Sequence, residues 1–327
     1  MKSTKKVVVI TTGGTIAMKY DKANKGLIPA VSGADLIEAV PELKDVVPVE
    51  VVEYSNVPSG HITPAMMFGL AKMVDEYCAK DDVAGVVITH GTDTQEETIY
   101  LLDLVCTTNK PVCITGAMRG ASDPGADGPA NILAAVKTAA CPEAIDHGAM
   151  LVFNDEIHAA SEVAKTHTTS CSTFMSPGWG PIGHVYFDRV VFKRKPEKIQ
   201  KIQPEQIADD VYLLKCVAGL DDYLFTCLGQ KPAKGIVVEA FGCGNVPLKV
   251  KAGIKYVREL GIPVILTTRV SSGRVVPAYS YEGSANSMKD FNIIMAGELS
   301  GQKARIKLLL ALGITNDVNA LRKYFDF

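Results

Sequence analysis

No Cys-x-x-Cys pair, long basic run, acidic tail or low-complexity tract occurs in this chain. No stretch approaches the roughly 18 consecutive apolar residues that a membrane-spanning helix needs. Without a basic run, and with a formal net charge of −2, the chain offers nucleic acid no electrostatic footprint. Cysteine is present but scattered, at Cys78, Cys106, Cys113, Cys141, Cys171, Cys216, Cys227 and Cys243, and no Cys or His spacing resembles a zinc site. Several cysteines, Cys113 and Cys216 among them, sit in apolar patterns where cysteine acts as a small buried hydrophobe. The expectation is a reduced protein with no metal. A lysine-rich start followed by the apolar residues 7–10 imitates a secretory signal only superficially. The run is short, and Lys19, Asp21 and Lys22 stand where a small-residue cleavage site belongs. A cytoplasmic protein with no membrane partner is expected.

What is present is ample material for buried cores. At 327 residues, 47% hydrophobic and 21% charged, the composition is that of a globular chain with room for two domains. Short β-rich runs at 7–10, 49–54, 83–89, 112–115 and 150–154 alternate with helical patterns at 33–40, 64–78, 94–105 and 129–140. That alternation predicts a doubly wound, mostly parallel sheet in a larger N-terminal α/β domain, residues 1–192. The charged, proline-punctuated stretch 193–210 reads as a linker. A smaller C-terminal α/β domain, 211–327, is expected from strands at 211–215, 235–240 and 263–268. Helices near 221–230, 248–260, 302–312 and 317–324 accompany them. Residues 18–32 are long, polar and glycine-containing, and read as a structureless loop of the kind that often serves as a lid. The stretch at 185–192 reads as a strand or hairpin arm.

Two stretches share one design. Residues 7–17 run from a buried strand into Thr11, Thr12, Gly13, Gly14 and Thr15. Residues 83–95 run from a strand into Thr89, His90, Gly91, Thr92 and Asp93. Glycines let a ligand approach the backbone closely, and the carboxyl ends of parallel strands are where open α/β sheets hold their ligands. The plain alternative is a pair of strand-to-helix turns with capping hydroxyls. Thr94 with Glu97 fits a capping box, which gives Thr94 a structural role but leaves Thr92 and Asp93 unexplained. Two hydroxyls facing one crevice suit nucleophilic acyl transfer, provided a base or cation-linked relay activates a threonine. Lys165, in a polar segment beyond a strand end, is the candidate. Most lysines are solvated surface charges, but one withdrawn from water can move protons.

Together, Thr12-Gly13-Gly14-Thr15-Ile16-Ala17, Thr89-His90-Gly91-Thr92-Asp93-Thr94 and Lys165-Thr166 resemble the bacterial L-asparaginase family closely. Further landmarks occur in the same order: Pro58-Ser59, Thr115 to Arg119, Ala126 to Pro129 and Gly301 to Arg305. The resemblance spans essentially the whole chain. It implies a hydrolase that converts L-asparagine to L-aspartate and ammonia, with Thr15 as nucleophile. Thr92, Asp93 and Lys165 would form a second, proton-handling cluster. Ser59, Gly14, Gly91 and Ala117 would line the substrate site. Asn245 and Glu282 would complete it from a neighbouring subunit of a homotetramer. No metal or organic cofactor is implied. The chain departs from the periplasmic, high-affinity members in two places: Tyr20 is unusually spaced from Thr15, and Gly60-His61 follows Ser59. His61 reads as a solvated loop histidine.

Three competing readings are open to discrimination. Gly242-Cys243-Gly244-Asn245 half-resembles a dinucleotide fingerprint, but the third glycine and the acidic residue ending the next strand are missing. A non-catalytic amino-acid sensor on the same fold would need no proton relay. An amidase subunit acting on misacylated tRNA would carry an extra N-terminal domain, for which a first strand at Val7 leaves no room.

Overall fold

The computed structural model describes residues 5–14, 16, 18–21, 26–29, 32–197, 201–231 and 233–325. These fall into two compact units, Met1–Lys201 and Ile202–Phe327.

In the first unit the run of valines does what β-branched side chains buried on both faces should do. It forms β1 (Lys6–Thr11), in which residues 7–10 are wholly buried. Then follow β2 (Met18–Asp21), β3 (Gly26–Pro29), α1 (Gly33–Glu38), α2 (Leu43–Val46) and β4 (Val49–Glu53). The middle of the unit is α3 (Pro64–Cys78), β5 (Val83–Thr89), α4 (Gln95–Val105), β6 (Val112–Thr115), α5 (Gly128–Ala140) and β7 (Ala149–Phe153). It closes with β8 (Glu156–Ala159), β9 (Ala164–Lys165), β10 (Phe174–Met175), β11 (Gly183–Val185) and β12 (Val190–Phe192).

Among the described residues one sheet of eight strands runs β12-β11-β8-β7-β6-β5-β1-β4. It is parallel from β4 to β7 and antiparallel from β7 outward. On one face Val7, Val9, Val87 and Cys113 pack against Leu36, Leu43, Ile132 and Val136 from α1, α2 and α5. Helices α3 and α4 pack on the other. The register sets Thr11 of β1 beside Thr89 of β5, so the two glycine turns leave the sheet at one level.

The expected structureless loop at 18–32 is instead partly ordered by backbone pairing. β2 and β3 form an antiparallel hairpin in which Met18 faces Pro29 and Tyr20 faces Leu27. An apolar-polar alternation over so few residues is too short to signal a strand in the sequence. The hairpin arm expected at 185–192 is the β11–β12 pair.

The second unit holds β13 (Val211–Lys215), α6 (Tyr223–Gln230), β14 (Gly235–Ala240), α7 (Leu248–Glu259), β15 (Val264–Thr268), β16 (Ile294–Met295), α8 (Gly301–Leu312) and α9 (Val318–Arg322). Its four strands are parallel in the order β13-β14-β15-β16. Ile236, Val238, Val264 and Leu266 pack against Phe225 of α6 and Ile254 and Val257 of α7. Ile202, at the start of this unit, is fully buried. Among the described residues no disulfide links the cysteines, and Cys113 and Cys216 are buried. No helix among them is long and apolar enough to cross a membrane.

Candidate active site

The site is built at the carboxyl edge of β1 and β5. Thr12 donates both its amide and its hydroxyl to the Thr89 carbonyl, each at 3.0 Å, which locks the two turns together at their roots. Gly13 and Gly14 then take positive φ values, +103° and +86°, a region L side chains rarely occupy. A Cβ on Gly14 would fall 2.3 Å from the Gly91 nitrogen, and one on Gly91 would fall 2.7 Å from Ser59 Oγ. Glycine is therefore required at 14 by contact as well as by conformation, and at 91 by contact. Thr15, the expected nucleophile, and Ala17 lie outside the described residues.

The second turn is held from beneath by His90. The Gly91 carbonyl can only accept, so His90 Nδ1 carries the proton it shares with that oxygen at 2.7 Å. Nε2 is then an acceptor and takes the Thr98 hydroxyl hydrogen at 3.0 Å. Complete burial pushes the imidazole down to about 4, so the ring is neutral and fixed in one tautomer. His90 is thus a buried strut for the turn that carries Thr92 and Asp93.

Ser59 braces the same turn from the side. It sits in a short 3₁₀ turn, Ser59–His61, and is buried. Its Oγ accepts the Asp93 amide at 3.2 Å, and its carbonyl accepts the Thr94 hydroxyl at 2.8 Å. That second bond corrects the capping-box expectation. Thr94 is the N-cap of α4 but makes no side-chain cap bond, because its hydroxyl is turned to Ser59. His61 is exposed.

Lys165 arrives on β9. Its Nζ donates to Thr92 Oγ1 at 2.9 Å and to Asp93 Oδ1 at 2.7 Å. The lysine side chain is 16% exposed and that of Asp93 73% exposed, so the pair bridges a sheltered hydroxyl and an open carboxylate. Such a half-exposed ion pair adds little to stability. With Nζ occupying the Thr92 oxygen as a donor, the Thr92 hydroxyl hydrogen is free to point elsewhere. This arrangement can pass a proton along Lys165 and Thr92 to a third group.

Ala117 is buried on the turn after β6. That turn is held by Asp127, whose carboxylate accepts the Met118 amide at 3.0 Å and the Arg119 amide at 2.9 Å. Asn131 donates to the Gly116 carbonyl at 3.0 Å and to the Asp127 carboxylate at 3.2 Å. Asn245 and Glu282 belong to the second unit. The Asn245 amide oxygen is buried with no partner among the described residues. Glu282 is exposed and pairs with Lys251.

Sequence reasoning missed His90 as a strut, Asp127 as the clamp of the Ala117 turn, and Gln95. The Gln95 side chain is completely buried, and both its amide atoms lack a hydrogen-bond partner among the described residues. The signal available for His90 was its place between a strand and a glycine, too common to single it out. Among the described residues no group of three or more His, Cys, Asp or Glu side chains is placed to hold a metal ion.

A two-unit α/β chain with paired glycine-threonine turns at one sheet edge, met by a lysine, defines a class. Residues 6–198 match the family described as "Asparaginase, N-terminal", and residues 210–325 match "Glutaminase/Asparaginase C-terminal domain". The chain belongs to the asparaginase family. It is 36% identical to "L-asparaginase 2" of Bacillus subtilis, covering 97% of this chain and 85% of that protein. It is 33% identical to "Glutaminase-asparaginase" of Pseudomonas fluorescens, covering 98% of this chain and 89% of that one. The solved structure described as "Probable Cytoplasmic L-asparaginase from Campylobacter jejuni" superposes with a TM-score of 0.88 at 31% identity, covering 98% of this chain and 99% of that chain.

Proposed function

We propose that this chain hydrolyses the side-chain amide of L-asparagine, releasing L-aspartate and ammonia. The observation that carries the reading is the Lys165 ammonium bonded at once to Thr92 and Asp93 on the turn that abuts Gly14. Family membership of the whole chain supports it. A sensor on this fold would have no use for the relay.

In this reading Thr15 Oγ attacks the carboxamide carbon and forms an ester, and the carbon–nitrogen bond breaks. The departing nitrogen takes a proton from Thr92, which is resupplied by Lys165 and, in net balance, by the Thr15 hydroxyl. Water then cleaves the ester, returning the proton to Thr15 and freeing L-aspartate. The Thr92 amide and the Ala117 turn are the preorganised donors to the oxyanion. The Asp93 carboxylate takes the substrate ammonium. Ser59 with the Gly14 and Gly91 backbone takes its α-carboxylate.

Assembly as a homotetramer, with Asn245 and Glu282 reaching a neighbour's site, and a cytoplasmic location belong to the same proposal. The first rests on family resemblance and the second on the Campylobacter relative's description. The test is ammonia release by purified protein from L-asparagine and, separately, L-glutamine, with Thr15→Val and Thr92→Val beside the wild type. Turnover of asparagine that either change abolishes is expected. Folded protein inert to both substrates overturns the reading.

A further inference from the structure

Lys165 stands on a ladder only two residues long. β9 and β10 pair in antiparallel register, Lys165 opposite Phe174 and Ala164 opposite Met175. A ribbon of that length has little stability of its own. Yet the Lys165 ammonium is set to within hydrogen-bond distance of both Thr92 and Asp93. Something must fix the backbone from which this long, flexible side chain departs.

The fixing lies on the far side of the ladder, at Thr173, which is completely buried. Its carbonyl accepts both the amide and the hydroxyl of Thr166, the residue after Lys165, each at 2.8 Å. Its hydroxyl accepts the His167 amide at 3.0 Å and donates to the His167 carbonyl. One residue thus uses its carbonyl and its hydroxyl to clasp the two residues that follow Lys165. The clasp is closed, since each hydroxyl function of Thr173 has a partner on His167. Within the loop the His167 ring adds a brace, with Nδ1 accepting the amides of Thr169 at 3.1 Å and Ser170 at 3.0 Å. At the other end of β10, Ser176 Oγ lies 3.0 Å from His158 Nδ1 on β8, which ties the ribbon to the main sheet.

We propose that Thr173 is the positioning residue for the Lys165 ammonium, acting through the clasp on Thr166 and His167 rather than by touching substrate. The proposal rests on the proton-relay reading of Lys165 given above. Valine fills the same volume in the buried Thr173 position but removes the hydroxyl that bonds the His167 amide and carbonyl. A reacting group displaced by about 1 Å costs on the order of 10²-fold in rate. Serine keeps the hydroxyl.

The experiment is steady-state asparagine hydrolysis, with its pH profile, for Thr173→Val, Thr173→Ser, Thr166→Val and Lys165→Met, each beside a thermal unfolding curve. Thr173→Val is expected to lower kcat by about 10–100-fold with KM changed less than about 3-fold, and to alter the pH profile of kcat. Thr173→Ser should restore kcat to within about 3-fold, and Thr166→Val, which removes a single clasp bond, should lower it about 3–10-fold. A folded Thr173→Val enzyme with wild-type kcat and pH profile overturns the proposal, as does a serine variant no better than valine. If the valine variant does not fold, an undiminished kcat in Thr166→Val overturns it instead. Lys165→Met separates the two readings: full activity there overturns the role of Lys165 itself, whereas an inactive Lys165→Met beside a fully active Thr173→Val overturns only the clasp.

Discussion

Gly14 and Gly91 stand back to back, so close that a Cβ on Gly14 would lie 2.3 Å from the Gly91 nitrogen. Neither atom can yield, because both belong to backbone anchored by the Thr12–Thr89 bonds. Gly14→Ala should therefore combine a positive-φ penalty with a backbone clash and destabilise the protein by about 1–3 kcal/mol. Activity should be lost with it. Gly60→Ala, where an added Cβ meets nothing within 4 Å, is the matched control and should change stability by less than about 0.5 kcal/mol. Thermal unfolding of the two variants distinguishes them, and an unperturbed Gly14→Ala would contradict the packing described.

Removal of the relay should affect rate far more than folding. Lys165→Met and Thr92→Val are each expected to lower kcat for asparagine by about 10²–10⁴-fold. Their unfolding midpoints should stay close to that of the wild type, since the Lys165–Asp93 pair is half exposed. The effects of the double variant should not add, because both residues serve one proton path. Multiplicative losses would show two independent roles.

His90 makes stability depend on pH in a definite direction. Its folded value of about 4 lies below the ordinary 6.5 of an unfolded chain, because burial penalises the charged ring. The unfolded chain then binds the proton more readily, so the neutral ring's contribution is fully present above pH 6.5. It is lost progressively as pH falls from 6.5 through 4. Denaturant unfolding of wild type and His90→Gln at pH 7.5, 6, 5 and 4 should show a stability gap that narrows toward acid. A gap independent of pH would refute the neutral-strut assignment.

Ser59→Ala removes the acceptor for the Asp93 amide but leaves the Ser59 carbonyl that holds Thr94. One neutral hydrogen bond on the binding side of the turn is worth about 1 kcal/mol. KM for asparagine should rise by about 5–10-fold, with kcat changed less. A fall in kcat with unchanged KM would instead assign Ser59 to the chemical step.

The order of strands and helices was legible in the sequence because buried parallel strands are unbroken apolar runs, and residues 7–10, 83–89 and 112–115 are of that kind. Short elements were not: β9, β10 and β16 carry only two residues each, below the length at which a pattern repeats, and β8, Glu156–Ala159, mixes polar and apolar residues over four. Thr94 illustrates a different failure. Its spacing from Glu97 fits a cap, but a hydroxyl takes whichever partner the fold supplies, and Ser59, 35 positions earlier, is that partner.

Local apolar runs and glycine pairs, read within a few residues, are enough to place the chemistry-bearing residues on glycine turns at strand ends. The assembled fold makes the two turns abut, because that follows from β1 and β5 being neighbours in register. It also brought Lys165 to Thr92 across 73 positions of chain. And it gave the clasp at Thr173 and the neutral state of His90, which depend on burial and on partners that no spacing rule encodes.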